Sequence, residues 1–482
     1  MIGNVQPYSP SRRTALVLTG TGAHGAYHAG VLRAMQEAGV KIDVIAGQGV
    51  GAGGAAMTAI DGASRLWDPE GIWRSRAVKN LYSWRLPLRI AAWIGLLGGT
   101  ILLAPVFVLL IGLLVYLVGF LFEMLQAEVG RSLVSGYSGW LQMAFDAQHL
   151  PTAVPRLAVI ALTAIVLVLF IGGLRAGRTT GSRRAERRWW WRIVAAPFDV
   201  QGARERFVDA LWELIRGAAP TARPPLAALG RRYAEVLSEN LGQPGFRELV
   251  VVTTDLDARR DVVAALLAEP YKQAFLAPRP GRDRRSEILD LAGVAREHVM
   301  DVIGAGLTPA MLCDPQLMTF TPDSFWRGET HRLCDRPGSI ARLLEEVAEA
   351  GVRQLIVVTA VAPTAAPHRL RALRLDLAGR FGEFQTAAES IALRDTLEAI
   401  GPRFDSIYTI QPTHNAIGPF DFAGAYDEAS DRRQDLSELM ERAYEDAYRQ
   451  FIEPVIGASG EQLAHAAVGI REPAAAEHFD LG

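Results

Sequence analysis

Cysteine is nearly absent from the chain of 482 residues, which has only Cys313 and Cys334. Two cysteines without a paired C-x-x-C spacing exclude a disulfide-built scaffold and a cysteine zinc site, and they suit a reducing compartment. Lysine is almost as scarce: Lys41, Lys79 and Lys272 stand among 50 basic residues, the rest being arginine. An excess of one charge sign is also missing. With 50 basic and 52 acidic residues the net charge is −2, so global charge gives no case for nucleic acid as a partner. No internal repeat is present, and no signal peptide is evident, because the first apolar run, Ala15 to Leu18, is too short. What the chain has instead is apolar residues: 50% are hydrophobic and 21% charged, which excludes a disordered chain and points to membrane segments.

The opening alternates strand-like and helix-like patterns. Ala15–Leu18 reads as a buried strand, and Ala29, Leu32, Met35 and Ala38 recur at helical spacing up to Gly39. Val44–Ala46 is a second strand running into a glycine cluster. Strand, glycine turn and helix, twice over, predict an α/β fold with a parallel sheet.

The composition then changes. No charged residue occurs from Ile90 to Phe122, and a second charge-free stretch runs from Leu157 to Leu174. Each is long enough to cross a bilayer, which needs about 20 residues. Gly98, Gly99 and Pro105 predict a kink or tilt in the first. Arg74, Arg76, Lys79, Arg85 and Arg89 precede the pair, and Arg175, Arg178, Arg183, Arg184, Arg187, Arg188 and Arg192 follow it. The positive-inside rule puts both flanks in the cytoplasm and residues 123–156 outside, as a loop between two spans. That is the topology of a bacterial-type inner membrane protein. The basic run Arg175–Arg192, with Trp189, Trp190 and Trp191, suits anionic lipid at the interface.

After this hairpin the α/β pattern resumes. Residues 205–216, 226–241 and 340–350 read as helices, and 249–253, 354–361 and 406–411 as strands. Leu436, Leu439, Met440, Ala443, Ala447 and Phe451 form one face of a terminal helix that Pro454 stops. The expected organisation is a first α/β part over 1–85, a membrane hairpin over 86–175, a basic linker over 176–200, a second α/β part over 201–430, and a C-terminal helix and tail over 431–482.

Two glycine loops carry the functional signal. Gly20-Thr21-Gly22-Ala23-His24-Gly25 fits a dinucleotide fingerprint, but that motif needs an acid at the end of the second strand, and Asp43 stands at its start. The other reading joins both loops. Backbone N–H groups of a glycine turn stabilise an oxyanion, and a G-x-S-x-G elbow presents a serine beside them. Here the elbow is Gly47-Gln48-Gly49-Val50-Gly51, so the frame is present without the serine.

Leu16 to Tyr27, Ala29 to Leu32 and Asp43 to Ala52 resemble the patatin-like phospholipases. So, in order, do Val250 to Asp257, Ala305 to Met311 and Leu333 to Ser339. The resemblance implies a three-layer patatin-like α/β domain, here interrupted by a two-helix transmembrane hairpin. It further implies a Ser-Asp dyad that hydrolyses lipid acyl esters without a cofactor or metal. Carried over by position, the nucleophile falls on Gly49 and the dyad aspartate on Asp335. The oxyanion loop falls on Gly20, Thr21, Gly22 and Gly25, and the elbow glycines on Gly47 and Gly51. Thr21 stands for a glycine, His24 for a basic residue, and Arg336 for the glycine that usually follows the aspartate. A glycine has no oxygen with which to form an acyl-enzyme. The expectation is therefore a membrane-anchored pseudohydrolase that binds membrane lipid or regulates a partner. Two alternatives remain at this stage: an active Ser-Asp hydrolase, which requires serine at position 49, and a membrane scaffold with a vestigial pocket. Substitutes for the nucleophile are few. Thr19, Thr21 and Cys334 read as structural, His24 and His28 as too few for a metal, and His414, Asp255 and Asp257 as turn residues. Arg369, Arg371, Arg374 and Arg380 interleave with leucines in a segment that suits either a membrane surface or solvent.

Overall fold

The computed structural model describes residues 8–126, 128–179, 196–277, 284–322, 326–363, 376–413, 417–426 and 433–457. Trp189–Trp191, the arginines from Arg183 to Arg192, Arg369, Arg371, Arg374 and His414 lie outside these residues. The chain forms two compact units, Met1–Ser83 with Val200–Gly482, and Trp84–Asp199.

The first unit opens with β1 (Thr14–Leu18), α1 (His24–Glu37), β2 (Val44–Gly47) and α2 (Val50–Ala59). The inserted unit contributes α3 (Leu86–Met124), α4 (Val129–Phe145) and α5 (Leu150–Thr179). The first unit then continues through α6 (Gln201–Arg216), α7 (Leu226–Asn240), β3 (Glu248–Asp255), β4 (Arg260–Leu266) and β5 (Ser286–Asp290). Next come α8 (Val299–Gly306), β6 (Gln316–Thr319), β7 (Thr330–Cys334), α9 (Ile340–Glu349) and β8 (Gln354–Val358). The last elements are α10 (Leu377–Ile400), β9 (Ser406–Ile410) and α11 (Leu436–Ala447).

The strands make one sheet of nine, in the order β9-β8-β1-β2-β3-β4-β5, with β7 on the end of β3 and β6 on β7. The expected parallel sheet is its core, since β9, β8, β1, β2 and β3 all run parallel. The far side is mixed, because β4 returns antiparallel to β3 and the β6–β7 pair is antiparallel too. The central strands are buried on both faces, so they read as continuous apolar runs such as Leu249 to Val252 rather than as alternation. Ala15, Val17, Val44, Ala46, Val250 and Val252 face a core built with Ile340, Leu343, Leu344 and Val347 of α9. The i, i+3, i+4, i+7 spacing of those four is the buried stripe of an amphipathic helix. Leu18 turns to the opposite face and touches α2 at Gly51 and Gly54. A helical layer therefore covers each face.

Two expectations need correction. The stretch between the two apolar runs is not a plain loop over 123–156, because α4 occupies half of it. A place between two spans does not set secondary structure, and close packing against α3 does: a side chain on Gly130 would strike the Gly119 carbonyl oxygen, one on Gly119 of α3 would strike Val134, and one on Gly112 of α3 would strike Tyr137. Tyr137 Oη also donates to the Val108 carbonyl. Pro454 does not stop the terminal helix, which ends at Ala447 and continues as a π-helical segment, Tyr448–Gly457, that contains the proline. The C-terminal helix α11 packs closely on α1, for a side chain on Gly30 of α1 would lie 2.0 Å from the Met440 carbonyl oxygen.

Within the inserted unit, α3 spans 39 residues and α5 spans 30. Both are long and apolar enough to cross a membrane. Their apolar side chains face outward, with Leu113 of α3 69% exposed and Val159 of α5 64% exposed.

Candidate active site

The two glycine loops follow β1 and β2, which are neighbours in the sheet. Gly49 caps α2 with φ 60° and ψ −133°, a backbone conformation almost reserved for glycine. The elbow geometry is thus kept although the serine is absent. Asp335 follows β7, where its N–H donates to the Thr308 carbonyl (2.8 Å). A Cβ built on Gly49 would stand 3.1 Å from Asp335 Oδ2, so positions 49 and 335 are brought together as the motif order expects.

The same built Cβ would stand only 2.1 Å from the Gly20 carbonyl oxygen. That oxygen also accepts the Val50 N–H (2.8 Å). The amide after the nucleophile position, one of the groups that would steady an oxyanion, therefore points its proton at the oxyanion loop itself. In that loop Gly20 and Gly22 have φ of 118° and 57°, which glycine supplies without strain. Ala23 N–H donates to the Pro419 carbonyl (2.7 Å), and a side chain on Gly22 would meet that same oxygen. Gly25 packs against Trp73, Gly47 against the start of α2, and Gly51 against the Leu18 carbonyl, so these three glycines serve close packing.

Thr21 and His24 lie in the site, and both are 2% exposed. Thr21 Oγ1 donates to Glu389 Oε1 (2.6 Å), and its N–H reaches His24 Nδ1 (3.4 Å). His24 Nδ1 lies 3.5 Å from the other Glu389 oxygen. His28 points elsewhere: its Nε2 donates to the Thr19 carbonyl (2.6 Å), and burial pushes its pKa down to about 3. It is a neutral structural histidine. Arg336 also turns away, since its guanidinium binds Asp261 (2.7 Å). Gln48 holds the elbow to the aspartate strand by donating to the carbonyls of Arg336 (2.7 Å) and Pro337 (3.1 Å).

Asp335 is 2% exposed, and its Oδ1 lacks a hydrogen-bond partner. Burial, and after it the charge of Glu389, pushes its pKa up to about 8. At neutral pH it is chiefly protonated and not a base. Burial likewise pushes the Cys334 thiol up to about 12, which removes it as a nucleophile. Asp255 caps its turn through Asp257 N–H (2.8 Å) and Ala258 N–H (3.0 Å), and Asp257 pairs with Arg332. Among the described residues no group of three or more His, Cys, Asp or Glu side chains is arranged to hold a metal.

Sequence reasoning missed Glu389, Gln385, Gln48 and Pro419. Glu389 and Gln385 lie four residues apart on α10 and both point at Thr21. The spacing marks one helix face, but nothing local says what the face meets.

This geometry agrees with the comparisons. The model of the patatin-like phospholipase family matches residues 16–273. Among solved structures, VipD from Legionella pneumophila shares 14% identity, covering 92% of this chain and 68% of its own, at a TM-score of 0.27. The type III effector protein ExoU shares 15%, covering 83% of this chain and 56% of its own, at a TM-score of 0.22. At such TM-scores neither bears on the site. No curated protein matches the chain. The family match contains both glycine loops, the elbow that ends in Gly49 and the start of the sheet that carries them: the chain belongs to the patatin-like phospholipase family.

Proposed function

We propose that the protein is a membrane-tethered patatin-like protein that binds lipid without hydrolysing it by the family's Ser-Asp route. One observation carries the reading. Position 49 has no oxygen, and the space a serine Cβ would need is taken by the Gly20 carbonyl, 2.1 Å away. The Val50 amide is spent on that carbonyl, and Asp335 is held protonated. Nucleophile, base and one oxyanion donor are thus lost together.

Tethering is supported by α3 and α5. Their exposed leucines, valines and phenylalanines would cost about 25 cal/mol per Å² in water, a penalty that lipid removes. The arginines that flank the pair favour cytoplasmic ends, which puts α4 on the far side of a bacterial-type inner membrane. Arg175 to Arg192 would meet anionic headgroups on the cytoplasmic leaflet.

The test is hydrolysis of phospholipid and short-chain esters by the purified full chain, beside its Gly49→Ser variant. Neither is expected to turn over substrate. Turnover by the unaltered chain would overturn the reading. Turnover by Gly49→Ser alone would mean that the Gly20 loop yields to a side chain and that only the serine is missing. One observation favours a membrane scaffold instead: Thr21, His24, Gln48 and Asp335 are all nine-tenths or more buried. Binding of fluorescent phospholipid by the full chain decides between the two, and the scaffold predicts none.

A further inference from the structure

Glu389 places a second carboxylate in the site. It is 9% exposed, and its Oε1 accepts from Thr21 Oγ1 (2.6 Å) and, more weakly, from Gln385 Nε2 (3.5 Å). Its Oε2 lies 3.5 Å from His24 Nδ1 and has no hydrogen-bond partner. A buried carboxylate normally recovers its lost hydration through several donors. This one recovers little, and it sits close enough to Asp335 to raise that group's pKa. It is a strained occupant of a place that can hold an anion: a hydroxyl and an amide converge there beside the His24 imidazole, whose Nδ1 accepts the Thr21 N–H. In the same loop the N–H groups of Gly20 and Gly22 have no partner among the described residues.

An apolar track leaves the same place. Phe422 lies against Gly22 and stacks on Tyr82 (5.6 Å). Tyr82 meets Phe420 (5.9 Å), Phe420 meets Phe381 (6.1 Å), and Phe381 meets Phe384 (6.4 Å), which is 66% exposed. The row runs from the oxyanion loop along α10 to the surface.

We propose that the Glu389 carboxylate is an internal stand-in, and that this site binds a free long-chain fatty acid whose carboxylate replaces Glu389 against Thr21, Gln385 and His24. The acyl chain would lie along the phenylalanine row as the Glu389 side chain swings out, with α10 and its Gln385 staying in place. This rests on the lipid-binding reading and names its ligand. A fatty acid fits better than an ester because the group now held is a planar anion with two oxygens, one on Thr21 and one toward His24. An ester carbonyl is neutral and offers a single acceptor. A phosphate offers three oxygens where two are held.

The test is equilibrium binding of oleate, methyl oleate and oleoyl lysophosphatidate to the full chain held in amphipol. Oleate is expected to bind at least roughly tenfold more tightly than the other two. Glu389→Gln, which keeps the shape and removes the competing charge, is expected to tighten oleate by about the same factor, and Thr21→Val to weaken it. Equal binding of oleate and methyl oleate, preference for the phosphate, or an unchanged Glu389→Gln would overturn the fatty-acid assignment and leave lipid binding standing. No binding of any of the three would overturn the lipid-binding reading itself. Should Glu389→Gln fail to fold, the comparison of oleate with its methyl ester on the unaltered chain still decides.

Discussion

Asp335 keeps its proton because its surroundings offer it little else. An unfolded chain releases that proton near pH 3.8, whereas the folded chain holds it to about pH 8. Between those values the unfolded state loses a proton that the folded state must keep. The contribution of Asp335 to stability therefore falls as pH rises from about 4 to 8, while buried neutral His28 opposes it up to about pH 6.5, so the fall shows between about pH 6.5 and 8. Thermal midpoints at pH 6.5 and pH 8 should differ in that sense, and Asp335→Asn should flatten the difference and raise the midpoint at pH 8. At position 49 the built Cβ meets backbone rather than a flexible side chain. Gly49→Ser should accordingly cost about 1–3 kcal/mol, read as a lower midpoint. Both residues were legible in the sequence because each belongs to a short motif whose spacing is local. Glu389 was not, since only the tertiary path of α10 brings it to Thr21.

Among the elements, close approach is where glycine matters most. The Gly30 contact lets α1 and α11 come together without side chains between them. Gly30→Val should push α11 off α1, cost about 1–3 kcal/mol, and show as earlier proteolysis of the C-terminal helix. The helices on the sheet were legible from apolar periodicity, as in α9, and the central strands from their unbroken apolar runs. The strand that turns back, β4, was not read from the sequence at all; it follows β3 after only the turn at Leu256 to Arg259. The segment of α4 was read as loop only from its place between the two apolar runs. Its glycines and serines lower helix propensity, and packing on α3 overrides that preference.

At the scale of the whole molecule, the inserted unit enters and leaves at one place. Arg85 N–H donates to the Pro197 carbonyl (3.0 Å) within that unit. Ala203 N–H donates to the Leu81 carbonyl (3.0 Å) within the other. Two crossings so close together should let a short Gly-Ser link replace residues 86–197. The shortened chain is expected to stay in the aqueous fraction with its α/β circular dichroism intact, while the full chain sediments with membranes. Sedimentation of both would place the membrane contact on the α/β unit instead. The insertion itself was legible from the absence of charge, and its boundaries from arginine.

The sheet also fixes an order of events during synthesis. Thr14 of β1 pairs with Gln354 of β8, and the hydrogen bond between their side chains joins residues 340 apart in the chain. At about 5–20 residues per second a ribosome needs roughly 20–70 s to make that partner. Throughout that interval β1 has one neighbour, β2, and an open edge of buried-type residues, while the apolar helices of the insertion emerge in between. The nascent chain must shield that edge for tens of seconds, so chaperone demand should fall on the first 83 residues rather than on the hydrophobic hairpin.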